Sequence, residues 1–229
     1  MINYEKIIHH RLKFFWNSHN GNKEEINLDG QFFYWFTWML WIQATFFLDK
    51  GHKNRLNFAI LLLVAIILSP YKLSIVGFEI SLLAACLYIG IFFYITTFKK
   101  TKLLYFLLST FFTMLAYCSF HLFSILDPIW ILFKKEWLLS IMLIIVARLV
   151  YNEPIKQIVL MIFGSINGDI LYGILLKKYQ YSYTIGSMSF FDSLLIGMTA
   201  IIGFYTIKFY LLRWERYVYI MEKEKQKLL

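Results

Sequence analysis

From Leu103 to Leu126 the chain carries no Asp, Glu, Lys or Arg. The hydrocarbon of a bilayer is about 30 Å thick and takes about 20 helical residues to cross, so this run fits a membrane better than a water-facing domain. Further apolar segments lie at Phe32 to Leu48, Leu56 to Ser69, Val76 to Phe98, Trp137 to Tyr151, Ile158 to Leu176 and Phe190 to Leu212. The pattern predicts an all-α fold: a polytopic transmembrane helical bundle over residues 31–212, with about seven spans. The number falls to six if Leu56 to Ser69, which is short and ends at Ser69-Pro70, is re-entrant.

Composition points the same way. Of 229 residues, 59% are hydrophobic and 20% aromatic, while the 16% that are charged are too few to cover a soluble domain of this length. In this setting a net charge of +9 marks cytoplasmic loops and anionic lipid headgroups, not nucleic acid. Lys50, Lys53 and Arg55 fall in the first loop, Lys99, Lys100 and Lys102 in the third, and Lys156 in the fifth. Arg213, Arg216, Lys223, Lys225 and Lys227 follow the last span, whereas the alternate loops hold only Lys72, Lys134, Lys135, Lys177 and Lys178. The positive-inside rule puts the richer set, with the C-terminus, in the cytoplasm of a multi-pass plasma-membrane protein. Residues 213–229 read as a basic cytoplasmic tail that extends the last helix, with Trp214 and Tyr217 at the headgroups. Cys86 and Cys118 sit inside apolar runs and read as small hydrophobes.

Residues 1–30 form a polar leader that lacks the apolar core of a signal peptide. Its His9, His10 and His19 have no metal-site spacing. One reading is an amphipathic surface segment. The other comes from the genetic code: Lys23-Glu24-Glu25 can be written AAGGAGGAG, a ribosome-binding sequence, and Leu28 as TTG, an alternative start codon. On that reading the native protein starts at Leu28 and residues 1–27 are translated upstream DNA.

The stretch FGSINGDILYG, Phe163 to Gly173, places Asn167 and Asp169 inside an apolar segment. A charge there costs about 2.5–3.5 kcal/mol on insertion scales. Projected on a helix, Val159, Phe163, Ile166, Ile170 and Ile174 make a stripe suited to lipid. Gly164, Ser165, Gly168, Asp169 and Tyr172 lie opposite, toward the bundle interior. Gly164 and Gly168 form a GxxxG pair that lets another helix approach closely.

Glu79, His121, Asp127 and Asp192 all fall toward the outer ends of their segments, Asp169 lies near the midplane, and Arg148 and Lys208 lie in the inner halves, where they snorkel. Each outer residue has a local reading. Asp127-Pro128 starts a short interfacial helix, Asp192 caps the last span, Glu79 sits at the headgroups, and His121 is a satisfied core histidine. The collective reading makes Glu79, His121, Asp169 and Asp192 a candidate intramembrane polar site, an outward cavity for a cation or small basic solute. The sequence has no HExxH, GxSxG or P-loop, so no catalytic or metal residues and no cofactor are expected.

Several strings resemble the YphA-like family of small multi-pass membrane proteins of Gram-positive bacteria. They are FFYWFTWMLWIQATFFL, ILSPY, AYCSFHLFSILDPIW followed by KKEW, and GDILYGILL followed by YTIGSMSFFD. The resemblance runs from about Gln31 to the C-terminus. It implies a polytopic plasma-membrane protein of no established biochemical activity and transfers no functional residues. Two functions stay open: a non-enzymatic scaffold that holds other membrane proteins or copies of itself within the bilayer, or a small transporter or channel using the outer carboxylates and His121.

Overall fold

The computed structural model describes residues 29–47, 55–75, 77–126 and 134–227. Residues 1–28 of the leader, with the Leu28 start, and Lys50, Lys53 and the Asp127-Pro128 helix start lie outside the described residues. Seven α-helices are described: α1 (Gln31–Ile42, continued as a π-helical turn over Gln43–Phe47), α2 (Arg55–Leu68), α3 (Leu82–Thr96), α4 (Lys100–Leu126), α5 (Lys135–Val150), α6 (Pro154–Lys178) and α7 (Met188–Lys227). By length and composition α4, α6 and residues 188–219 of α7 can each cross a membrane, whereas α2 and α3 are apolar but shorter. The outer surface is apolar, with Trp35, Phe46, Leu104, Leu149 and Ile207 all more than half exposed. Water would not tolerate so continuous an apolar surface, but lipid does.

The fold is not purely helical. Strands β1 (Lys72–Ile75) and β2 (Phe78–Ser81) pair antiparallel, and β3 (Thr184–Ile185) adds to β2 in parallel. This adds a small sheet to a fold that is otherwise helical, as expected, and corrects one expectation, a third helix starting at Val76. Gly77, at φ 74°, turns the chain, and helix begins only at Leu82. Phe78 and Ile80 are as apolar as the helix that follows, so apolar content alone does not separate strand from helix over a stretch this short.

The sheet marks one end of the bundle. Gathered there are the starts of α1, α3, α5 and α7 and the ends of α2, α4 and α6. Phe32 packs edge-on against Trp137 at 5.8 Å, and the hydroxyls of Tyr34 and Ser69 meet at 2.9 Å. At the far end Arg55 donates to the carbonyls of Ala44 and Thr45, and Tyr105 donates to the Val150 carbonyl at 3.3 Å. α2 thus runs from the far end to the sheet end.

α6 is the central helix, packed against α3, α4, α5 and α7. The expected lipid stripe on it is corrected: Phe163 and Ile166 are buried and only Ile174 of the stripe is exposed. Phe163 stacks on Tyr88 of α3 with centroids 5.1 Å apart. Periodicity shows how apolar side chains are distributed around one helix. It carries no information on how many neighbours surround that helix.

Candidate functional site

Gly164 and Gly168 lie at the interface of α6 with α4. A Cβ on Gly164 would fall 2.6 Å from Thr113 Cβ, and one on Gly168 would fall 2.7 Å from Tyr117 Cβ. His121 and Tyr172 meet one turn further on, with ring centroids 4.9 Å apart. The spacing between partners is the same each time, so the two helices run parallel. Close approach of this kind needs residues without side chains.

Asp169 follows directly and is fully buried. Its Oδ1 accepts from the hydroxyls of Tyr117, at 3.0 Å, and Tyr183, at 2.5 Å; its Oδ2 accepts from the Gly186 N–H at 2.6 Å. One carboxylate therefore ties α4, α6 and the β3 loop together. Three donors are the compensation a buried carboxylate requires.

Asp192 corrects its local reading. It lies one turn inside α7 and does not cap that helix. Its oxygens instead accept from the N–H groups of Gly30, at 2.8 Å, and Phe33, at 2.7 Å. These are first-turn donors of α1 that the helix cannot satisfy itself, and α1 has no side-chain cap of its own. Asp192 is thus a capping group supplied from across the bundle, and its charge complements the positive end of the helix. Replacing it with alanine is expected to cost about 0.5–2 kcal/mol. Hydrogen exchange should quicken at the first turn of α1 and stay unchanged in α6; uniform quickening, or none, would contradict this.

Glu79 is on the surface of the sheet. It accepts from the Thr184 hydroxyl at 2.8 Å and pairs with Lys72 at 3.5 Å, both charged side chains being more than half exposed. The Thr184 hydrogen bond, and after it the Lys72 ammonium, hold its carboxyl below the usual carboxylate range.

His121 is 8% exposed, its ring held between Tyr117 and Tyr172. Neither ring nitrogen has a hydrogen-bond partner among the described residues. The ring lines a cavity of about 380 Å³ whose wall includes Lys135, Glu136, Tyr172, Tyr181 and Ser187. Glu136 accepts from the Ser189 hydroxyl at 2.9 Å, and Lys135 stands within electrostatic reach of both His121 and Asp169. All four candidate residues are toward the sheet end, but they are not brought into one cavity. Of the four only His121 lines it.

The family model described as YphA-like integral membrane protein matches residues 29–227. The chain belongs to that family. It is also similar to the uncharacterized protein YphA of Bacillus subtilis (strain 168), with 25% identity over 177 residues that cover 75% of this chain and 85% of the relative. No solved structure matches it. Membership makes this YphA-like chain an integral membrane protein, in contact with lipid.

Several groups around the YphA-like polar centre escape sequence reasoning. Tyr117 and Tyr183 read as members of aromatic-rich runs, although their hydroxyls are what Asp169 binds. Lys135 reads as a loop charge, yet it turns into the cavity wall. The available signal was the position of Asp169 and Tyr172 on one face of α6, which marks the wall but not what faces it.

Proposed function

We propose that this protein is a non-enzymatic, multi-pass scaffold of the plasma membrane, with seven spans, the sheet end outside, and the far end and C-terminus in the cytoplasm. The observation that carries the reading is the length of α7. Its 40 residues measure about 60 Å, twice the hydrocarbon thickness. The hydroxyl of Tyr205 donates to the Asn152 carbonyl at the far end, and from there the helix continues for about 33 Å. Ile207, Phe209, Trp214, Tyr217 and Tyr219 on that continuation are all exposed, interleaved with Lys208, Arg213 and Arg216. A rod of this kind is a contact surface for other proteins. The carboxylates support the same reading, because Asp169 and Asp192 serve folding and Glu79 is paired on the surface.

The orientation rests on Arg55, Lys99, Lys100, Lys102 and Lys156 clustering at the far end. In a chain whose Cys86 and Cys118 are replaced by alanine, cysteines placed at Lys100 and Trp214 should resist an impermeant thiol reagent in intact cells, and one at Gln180 should react. A photo-crosslinker at Tyr217 should give protein adducts in cells that one at the lipid-facing Leu149 does not. Labelling of the Lys100→Cys variant from outside overturns the orientation, and equal yields at Tyr217 and Leu149 overturn the scaffold. A second reading, binding and movement of a small solute, is favoured by His121 at the sheet-end cavity, whose ring nitrogens have no partner among the described residues.

A further inference from the structure

At the far end Lys99, Lys102 and Lys156 line a cavity of about 540 Å³ together with Thr97, Thr101 and Tyr105. Every ionisable side chain in that wall other than the tyrosines is a lysine. Lys156 shares its charge with Glu153 at 2.6 Å, while Lys99 and Lys102 make no ion pair among the described residues. Helix α4 begins at Lys100, between the wall residues Lys99 and Thr101, with no acidic residue in its first turn. Parallel α6 begins beside it at Pro154. Two helix starts bring two positive dipole ends and unpaired N–H groups to the place where the lysines converge.

We propose that this cavity binds the phosphate of an anionic phospholipid. Phosphate matches the donor set: ammonium groups, helix-start amides and the Thr101 hydroxyl. The argument for a lipid over a free ion lies next to the cavity. Thr101 and Tyr105 begin a stripe on α4 that continues through Leu108 and Phe112, all of them exposed. A headgroup seated among the lysines would lay its acyl chains along that stripe. The site differs from the sheet-end cavity in place and in charge, and it does not depend on the scaffold reading.

The test is native mass spectrometry of the full chain, purified in neutral detergent and supplied with phosphatidylglycerol or phosphatidylcholine. Wild type should retain phosphatidylglycerol in preference to phosphatidylcholine. The triple variant Lys99→Gln/Lys102→Gln/Lys156→Gln should lose at least about tenfold of that affinity, since each surface lysine near an anionic headgroup contributes about 1 kcal/mol. The sheet-end double variant Lys72→Gln/Lys178→Gln should retain it. A triple Lys→Arg variant, which keeps the charge, should bind like wild type and shows that any loss is not misfolding. Equal retention by the Gln triple, or loss in the sheet-end variant to the same extent, overturns the site. Thermal stabilisation by inorganic phosphate equal to that by phosphatidylglycerol overturns the lipid as its occupant.

Discussion

Replacing Gly168 with leucine is expected to destabilise the protein by about 3 kcal/mol or more, at the upper end of overpacking effects. The first added carbon alone would lie 2.7 Å from Tyr117 Cβ and 2.8 Å from its ring. Tyr117 cannot retreat, because it is buried, stacked near His121 and bound through its hydroxyl to Asp169. The helices must therefore part. Gly164→Leu should behave alike against Thr113, whereas Gly90→Leu, where an added Cβ would meet nothing within 4 Å, should change stability little. Thermal or denaturant unfolding in detergent checks the series. A Gly168→Leu protein as stable as Gly90→Leu would show that α4 and α6 are not in close contact.

The second large effect is expected at Asp169. Alanine there removes the acceptor for the buried Tyr117 hydroxyl, the half-buried Tyr183 hydroxyl and one backbone N–H, and each stranded donor costs about 1–3 kcal/mol. A loss of at least about 3 kcal/mol follows. Asparagine should be far milder. Its oxygen can accept from Gly186 while its amide donates to the tyrosine oxygens, and interhelical hydrogen bonds in membranes average only about 0.6 kcal/mol. The same unfolding measurement separates the two. If Asp169→Asn keeps stability yet fails to rescue a deletion strain, the carboxylate carries charge or protons and its structural role is not the whole of it.

The sequence revealed much of this arrangement, and the gaps have physical causes. Placing Asp169, Gly164 and Gly168 on one face of a helix needed only the helical repeat. What that face meets needed the fold, because Thr113 and Tyr117 lie some fifty residues earlier and nothing local marks them as partners. Asp192 illustrates the same limit: an aspartate near a helix start suggests its own cap, and only the bundle shows that it caps α1. The hairpin was hidden because Phe78 and Ile80 are apolar in strand and helix alike. The far-end lysines were legible as loop charges, but the cavity they share depends on α4 and α6 starting side by side.

The cap that Asp192 gives to α1 also sets an order in time. Chains are made from the N-terminus and tend to fold in that direction. The amides of Gly30 and Phe33 are made early, while their acceptor is delivered only when the last helix emerges, 162 residues after Gly30. The Asp169 clasp likewise waits for Tyr183 and Gly186. Helix α1 therefore spends most of synthesis with an open end, and completion of α7 closes the ring of contacts at both points. A chain cut short before α7 would insert its earlier helices and still lack the closure that makes them one body.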